Sequence, residues 1–151
     1  MQLTLYTDYS LRVLIYLGLK GDELTKITEL AENYGISRNH LVKVVHNLGT
    51  KEFIHTTRGK GGGVRLARRP EQINIGEVVR HTEMNFNIVE CFGNKGPGCP
   101  ITPVCALKGV LGDAFRSFMN VLDQYTLADV LKNDRQLAQT LHLLKPITTI
   151  S

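Results

Sequence analysis

The residues around Gly35 constrain this chain more than any others. An amphipathic segment from about Lys26 to Tyr34 sets Ile27, Leu30 and Ala31 on one face. It stops at Gly35, the residue type that best accepts the positive φ after a helix end. Ser37 follows as a favoured N-cap. A second segment, Arg38 to about Lys51, then buries Leu41, Val44, Val45 and Leu48. Two short helices joined by a tight turn containing Gly form a helix-turn-helix. An earlier helix from Leu3 to Leu19 adds an apolar face of Leu3, Tyr6, Leu11, Leu14, Ile15 and Leu17.

The outward face of the helix after the turn carries Arg38, Asn39, His40, Lys43, His46 and Asn47, with Ser37 at its start. These are the donors and cations that base edges and phosphates accept. A solvated helix face would look the same, so the next stretch decides. Phe53 to Thr57 and Val64 to Leu66 read as short strands. Between them runs Arg58-Gly59-Lys60-Gly61-Gly62-Gly63, a Gly-rich tip with two cations. Glycines let a backbone turn tightly and approach a phosphate closely. Arg65, Arg68 and Arg69 add charge at its base, and a wing with Arg at its tip suits a narrow minor groove. A nucleotide-binding loop fits less well, because the glycines join two strands and no Gly-Lys-Ser/Thr opens a helix. The candidate DNA contacts are Ser37, Arg38, Asn39, His40, Lys43, His46, Arg58, Gly59, Lys60 and Arg65.

Charge agrees with this placement. Residues 1–80 hold 12 Lys or Arg against 8 Asp or Glu, and residues 81–151 hold 6 against 6. The whole net charge of +4 therefore lies in the half with the helix-turn-helix and wing. No apolar run approaches the roughly 18 residues of a membrane helix. Nothing resembles a signal peptide either, so a cytoplasmic chain with no membrane partner is expected. There is no nucleophile–base constellation, and a non-enzymatic role is expected.

The second half has two features. Asn74 suits the cap of a helix running to about Glu83, with Glu77 placed for a capping box. Beyond a Gly/Pro loop from Asn87 to Pro103, Thr102 and Pro103 suit the start of a long helix. On it Val104, Leu107, Leu111, Ala114, Phe118, Val121 and Tyr125 follow steps of three and four, a heptad seam. At ~1.5 Å per residue the helix spans about 33 Å. A seam of this length favours a homodimer over a core helix of one subunit. A two-fold dimer would present two recognition helices about 34–36 Å apart, the repeat of a palindromic operator. Leu127, Val130 and Leu131 suggest a short helix, a turn at Asn133-Asp134 and a last helix through Leu137, Leu141 and Leu144, with a loose tail from Lys145.

The other feature is the group Cys91, Cys99 and Cys105 in one 15-residue window. An odd number argues against a disulfide framework. The gaps of seven and five residues are not the close Cys-x-x-Cys pairs of structural zinc sites. A Gly/Pro loop can instead wrap an iron–sulfur cluster, which normally takes four ligands. Cys105, near the third position of the long helix, would feel its positive end. Zinc, a thiol–disulfide sensor and ordinary buried cysteines are the other readings. Spacing names no fourth ligand, because no Cys remains and Lys108 stands one turn after Cys105.

Taken together these features resemble the iron–sulfur winged-helix transcription regulators, the NsrR/IscR-like family. The resemblance covers nearly the whole chain. It rests on Leu5-Tyr6-Thr7-Asp8-Tyr9-Ser10-Leu11-Arg12, Tyr34-Gly35-Ile36-Ser37-Arg38-Asn39-His40-Leu41-Val42-Lys43, the Arg58 to Gly63 run, Thr126-Leu127-Ala128-Asp129 and, most specifically, the cysteine triad. Thr-Asp-Tyr at 7–9 and the run at 35–40 are similar to the nitric-oxide-sensing branch. The cluster-biogenesis branch has a His where Lys108 stands. The gap between Cys91 and Cys99 is longer than the family pattern.

The resemblance implies that Asp8 of the partner subunit is the fourth ligand, with Arg12 holding its carboxylate. Spacing alone gives those two residues an i,i+4 ion pair. It further implies a homodimeric repressor with one cluster per subunit, 4Fe–4S in preference to 2Fe–2S. Nitric oxide would release that repressor from double-stranded DNA. A redox or iron–sulfur-status regulator of the same fold, or a thiol- or zinc-based DNA-binding sensor, is the alternative. The expected fold is mostly α with a small β wing. It divides into a winged helix-turn-helix domain (1–83), a cluster-binding loop (84–103), a dimerisation helix (104–125) and a C-terminal helix and tail (126–151).

Overall fold

The computed structural model describes residues 1–93 and 98–143. Leu144, the expected tail from Lys145 and four residues of the cysteine loop, 94–97, lie outside the described residues. Among the described residues, seven helices and one hairpin follow in order: α1 (Leu5–Lys20), α2 (Ile27–Tyr34), α3 (Arg38–Thr50), β1 (Ile54–Thr57), β2 (Gly63–Leu66), α4 (Ile75–Thr82), α5 (Ala106–Asp123), α6 (Leu127–Val130) and α7 (Asp134–Thr140). Short 3₁₀ turns cover Pro70–Gln72, Glu90–Phe92 and Thr102–Val104.

Helix α1 sits at the centre. Thr4 caps it by accepting from the Thr7 N–H. Its buried stripe is Thr7, Ser10, Val13, Leu14, Tyr16 and Leu17. Two polar residues lie on that stripe; the Ser10 hydroxyl is satisfied by the Tyr6 carbonyl at 2.8 Å. Around α1 close Leu30 of α2, Leu41, Val44, Val45 and Leu48 of α3, Phe53, Ile54 and Val64 of the wing, and Ile73 and Val78. Fully buried Tyr16 places its hydroxyl on Glu29 at 2.8 Å and receives Asn33 at 3.1 Å. Burial, and next the Glu29 hydrogen bond, push its pKa up.

The turn after α2 is the expected one. Gly35 is left-handed at φ 62°, and its N–H closes onto the Ala31 carbonyl. The wing pairs antiparallel with Ile54 opposite Leu66 and His55 opposite Arg65. A third segment joins this hairpin unannounced: Thr25 exchanges both backbone hydrogen bonds with Val64, at 2.9 and 2.8 Å. A side chain at Gly63 would put its Cβ 2.8 Å from the Thr25 carbonyl, so the close approach needs glycine.

The wing base is clamped by Arg68. Its guanidinium donates to both Glu77 oxygens (3.0 and 3.2 Å) and to the carbonyls of Glu52 (3.1 Å) and Lys51 (3.2 Å), and lies 4.7 Å from the Phe53 ring centroid. Glu52 is one of the rare non-Gly residues with positive φ, 59°. The clamp therefore holds an otherwise unfavourable turn between α3 and β1. Two expectations change here. Arg68 is spent inside the fold and adds no free charge to the wing. Glu77 does not close a capping box with Asn74; Asn74 accepts from the Glu77 N–H, but the carboxylate goes to Arg68, the stronger partner.

The long helix also differs. Thr102 does not cap it. The chain first tightens into a 3₁₀ turn, with Val104 N–H on the Ile101 carbonyl and Cys105 N–H on the Thr102 carbonyl. Cys105 is then extended (ψ 105°), so α5 begins only at Ala106, with Cys105 as its N-cap residue rather than its third position. Val104 and Tyr125 of the expected seam fall outside the helix. The end of α5 is stitched to the start of α4: Asn74 donates to the Asp123 carbonyl at 2.7 Å, and Arg80 binds the Asp123 carboxylate at 2.6 Å. Helix α6 returns to the main core through Leu127, and a capping box between Thr126 and Asp129 fixes its start.

Two outcomes follow from these contacts. Arg68→Ala should lower unfolding free energy by about 2–3 kcal/mol, because a charged donor leaves four acceptors and a strained turn behind. Urea titration checks this, and a loss below about 0.5 kcal/mol would refute the clamp. Asp129 is held down to about 2 by Lys132 and then by the Thr126 donors. A depressed carboxylate stabilises above its ordinary pKa and loses that contribution as pH falls from about 4 towards 2. Asp129→Asn should therefore melt closer to the parent at pH 2 than at pH 6. An equal gap at both would refute it.

Candidate nucleic-acid interface and cysteine loop

The ten candidate DNA contacts separate cleanly from the core. Ser37, Arg38, Asn39, His40, Lys43 and His46 are all exposed, while Leu41, Val44, Val45 and Leu48 of α3 are buried. Arg58, Gly59, Lys60 and Arg65 are exposed on the wing. Among the described residues, Arg38, Lys43, Arg58, Lys60 and Arg65 make no ion pair, whereas Arg12, Lys20, Arg68, Arg80, Arg116 and Lys132 are paired. Five of the unpaired cations thus gather on α3 and the wing, while others such as Lys108 and Arg135 lie elsewhere. A surface that keeps cations unpaired and aimed outward is built for a polyanion. Gly59 and Gly61 take positive φ (93° and 81°), which turns the chain at the tip between the two cations.

Ser37 has a position at the start of α3 but not the expected role. Its side chain makes no capping hydrogen bond, and the residue is exposed. The hydroxyl and the first N–H groups of α3 are therefore open to a phosphate.

Two residues that the sequence reading treated only as apolar filling or as part of a motif connect α1 to this surface. The Tyr6 hydroxyl donates to the Lys43 carbonyl at 3.2 Å. The Tyr9 ring lies 6.1 Å from the His40 ring, centroid to centroid. The two tyrosines and Leu5 face His40, Lys43 and Val44 across a cleft of about 220 Å³. Their spacing of three on one helix face was the available signal. Between them stands Asp8. Arg12 grips its carboxylate with two hydrogen bonds, 3.1 Å from Nε and 2.8 Å from Nη2, and also lies 6.0 Å from the Tyr9 ring. The ion pair expected from spacing is present and partly exposed.

The three cysteines are free thiols, each half-buried. Cys91 sits in the 3₁₀ turn Glu90–Phe92, the Cys99 carbonyl accepts from the Thr102 N–H, and Cys105 opens α5. Among the described residues, no three Cys, His, Asp or Glu side chains stand together as a metal site. The donor chemistry nonetheless fits a cluster: soft thiolates on a loop, one of them at the positive end of an 18-residue helix. Thr102, between Cys99 and Cys105, adds a buried hydroxyl with no partner.

The interface predicts a separation of effects. Ser37→Ala should leave stability within about 0.5 kcal/mol, since no cap is lost, yet weaken DNA binding about fivefold. Arg58→Ala and Lys60→Ala should each reduce the slope of log affinity against log salt by about one. Unchanged slopes in a salt series would remove the wing from the interface.

Known proteins are similar to this chain in sequence and in fold. The family model described as Rrf2, iron-dependent transcriptional regulator, matches residues 3–133. An HTH-type transcriptional regulator NsrR of Bacillus subtilis is 53% identical over 144 residues, covering 95% of this chain and 99% of that protein. Its namesake in Bacillus licheniformis is 51% identical over 142 residues, covering 93% and 99%. Among solved structures, T. potens IscR superposes with a TM-score of 0.68 at 26% identity, covering 88% of each chain. Among the described residues no helix is long and apolar enough to cross a membrane. The chain belongs to the Rrf2 family of iron-dependent transcriptional regulators, as a winged-helix DNA-binding repressor and not an enzyme.

Proposed function

We propose that this chain is a cytoplasmic homodimeric repressor that holds one iron–sulfur cluster per subunit, of the 4Fe–4S type, and releases a palindromic operator in response to nitric oxide. The observation that carries the reading is the trio of free thiols Cys91, Cys99 and Cys105, set on a Gly/Pro loop at the head of α5 in a chain half identical to two NsrR proteins. Cys91, Cys99 and Cys105 would hold the cluster, with Asp8 of the partner subunit as the fourth ligand. When bound there, the cluster supplies iron that nitric oxide attacks.

The rest is done by the chain's own residues. Helix α5 keeps Leu107, Val110 and Val121 more than half exposed, while only Met119 is buried against its own subunit. An apolar stripe left open along a helix that already has one packed face supports a second copy as its cover. In such a dimer the cysteine loop of one subunit would meet α1 of the other, as ligation by Asp8 requires. Asp8 lies two residues from Tyr6 and next to Tyr9, and both touch the recognition helix. A carboxylate fixed from outside would hold the first turns of α1, and through them the angle of α3. Released, Asp8 falls back on Arg12 alone. Two half-sites must be met at once, so a small change of angle in each subunit costs affinity twice.

The test is an anaerobic titration with nitric oxide, following absorbance, iron, acid-labile sulfide and operator binding on the same sample. The expected result is a brown protein that bleaches stoichiometrically and leaves DNA. Cys99→Ala should lose the colour. Asp8→Ala should keep it while DNA affinity stops following nitric oxide, and Tyr6→Phe should blunt that response with the colour intact. A colourless parent overturns the cluster. An Asp8→Ala protein that responds like the parent reduces Asp8 to its ion pair with Arg12.

A further inference from the structure

Thr102 was expected to cap the long helix, and it does not. It opens the 3₁₀ turn between Cys99 and Cys105 and ties the two together: its N–H donates to the Cys99 carbonyl at 3.0 Å, and its carbonyl accepts from the Cys105 N–H at 3.4 Å. Both backbone groups are used. The hydroxyl is not. Oγ1 is shielded from solvent and has no hydrogen-bond partner, although its chain neighbours Ile101, Pro103 and Val104 are exposed. A hydroxyl denied both water and protein is costly, and folded proteins keep such groups only where a further partner is expected. Only three buried side-chain polar atoms among the described residues are in this state, and this one lies between two cluster-ligand candidates.

We propose that the Thr102 hydroxyl is a hydrogen-bond donor to sulfur at the cysteine site, either a cysteine thiolate or a bridging sulfide, and so tunes the bound cluster without ligating it. The inference rests on the cluster reading above and adds a residue to it. A hydroxyl carries one proton that it can rotate to suit an acceptor, and thiolate sulfur is an acceptor with lone pairs to spare. Donation to sulfur withdraws electron density from the iron, which raises the reduction potential and lowers the basicity of the sulfur. Thr102 is thus a positioning and tuning residue. Its hydroxyl adjusts the sulfur.

The experiment compares the parent, Thr102→Val and Thr102→Ser as anaerobically purified full-length proteins. It reads folding by circular dichroism, sulfide content, the cluster reduction potential, and iron–sulfur stretching frequencies in water and in deuterium oxide. Val keeps the shape and removes the donor; Ser restores the donor. The expected result is a more negative potential in Thr102→Val, loss of the deuterium shift of the iron–sulfur bands, and return of both in Thr102→Ser. A folded Thr102→Val protein that cannot keep its cluster, with Thr102→Ser keeping it, supports the same role. Equal potentials and equal deuterium shifts in parent and Thr102→Val overturn it, as does a Thr102→Ser protein that behaves like Thr102→Val. A parent without acid-labile sulfide is a different failure: it removes the cluster reading itself and the donor role with it.

Discussion

Helix α1 is the piece on which the rest depends, because the core closes around it and the DNA-reading helix leans on it. Its inner stripe, from Thr7 to Leu17, meets α2, α3, the wing and α6. Its outer edge carries Asp8 and Arg12, and its flank carries Tyr6 and Tyr9 against α3. A helix buried this completely along one side moves as a rigid rod, since a well-packed interior transmits displacement rather than absorbing it. Whatever acts on its first turns acts on the recognition helix. In the proposed sensor a core element would thereby also serve as the lever.

The cations obey a division of labour that supports the same picture. Arg68, Arg80 and Lys20 are consumed in fastening elements to each other. Arg38, Lys43, Arg58, Lys60 and Arg65 are left outward. Paired charges contribute to the fold and little to a distant partner, because their fields cancel beyond a few ångströms. Unpaired ones leave a positive surface of the kind that suits a phosphate backbone. The wing shows both uses within ten residues, with Arg58 and Lys60 free at the tip and Arg68 locked at the base beneath the Phe53 ring.

Much of the fold was legible because its signals are local. Gly35 ends α2 by its own backbone freedom, Asn74 caps α4 through a neighbour three residues away, and the apolar periods of α1 and α3 need no knowledge of the rest. The exposed recognition face and the cysteine trio were also readable, from residue type and spacing. What was not legible depends on residues far apart in sequence. Glu77 was assigned to its own helix cap because its competitor, Arg68, becomes a neighbour only after the wing folds. Thr25 gives no sign that it will pair with Val64. Thr102 has the sequence of a cap, yet two 3₁₀ bonds and an extended Cys105 move the helix start to Ala106.

The sequence by itself determined which residues face inward, where helices stop, that the positive charge belongs to one half, and that three thiols lie within one loop. These follow from periodicity, capping and composition, which act over a few residues. Only the tertiary structure decided which cations stay free, that Tyr6 and Tyr9 bind α1 to the recognition helix, that α6 returns to the first core, and that the Thr102 hydroxyl has no partner. Each of these is a competition between groups distant in the chain, settled by which partner packing brings within about 3 Å of the donor.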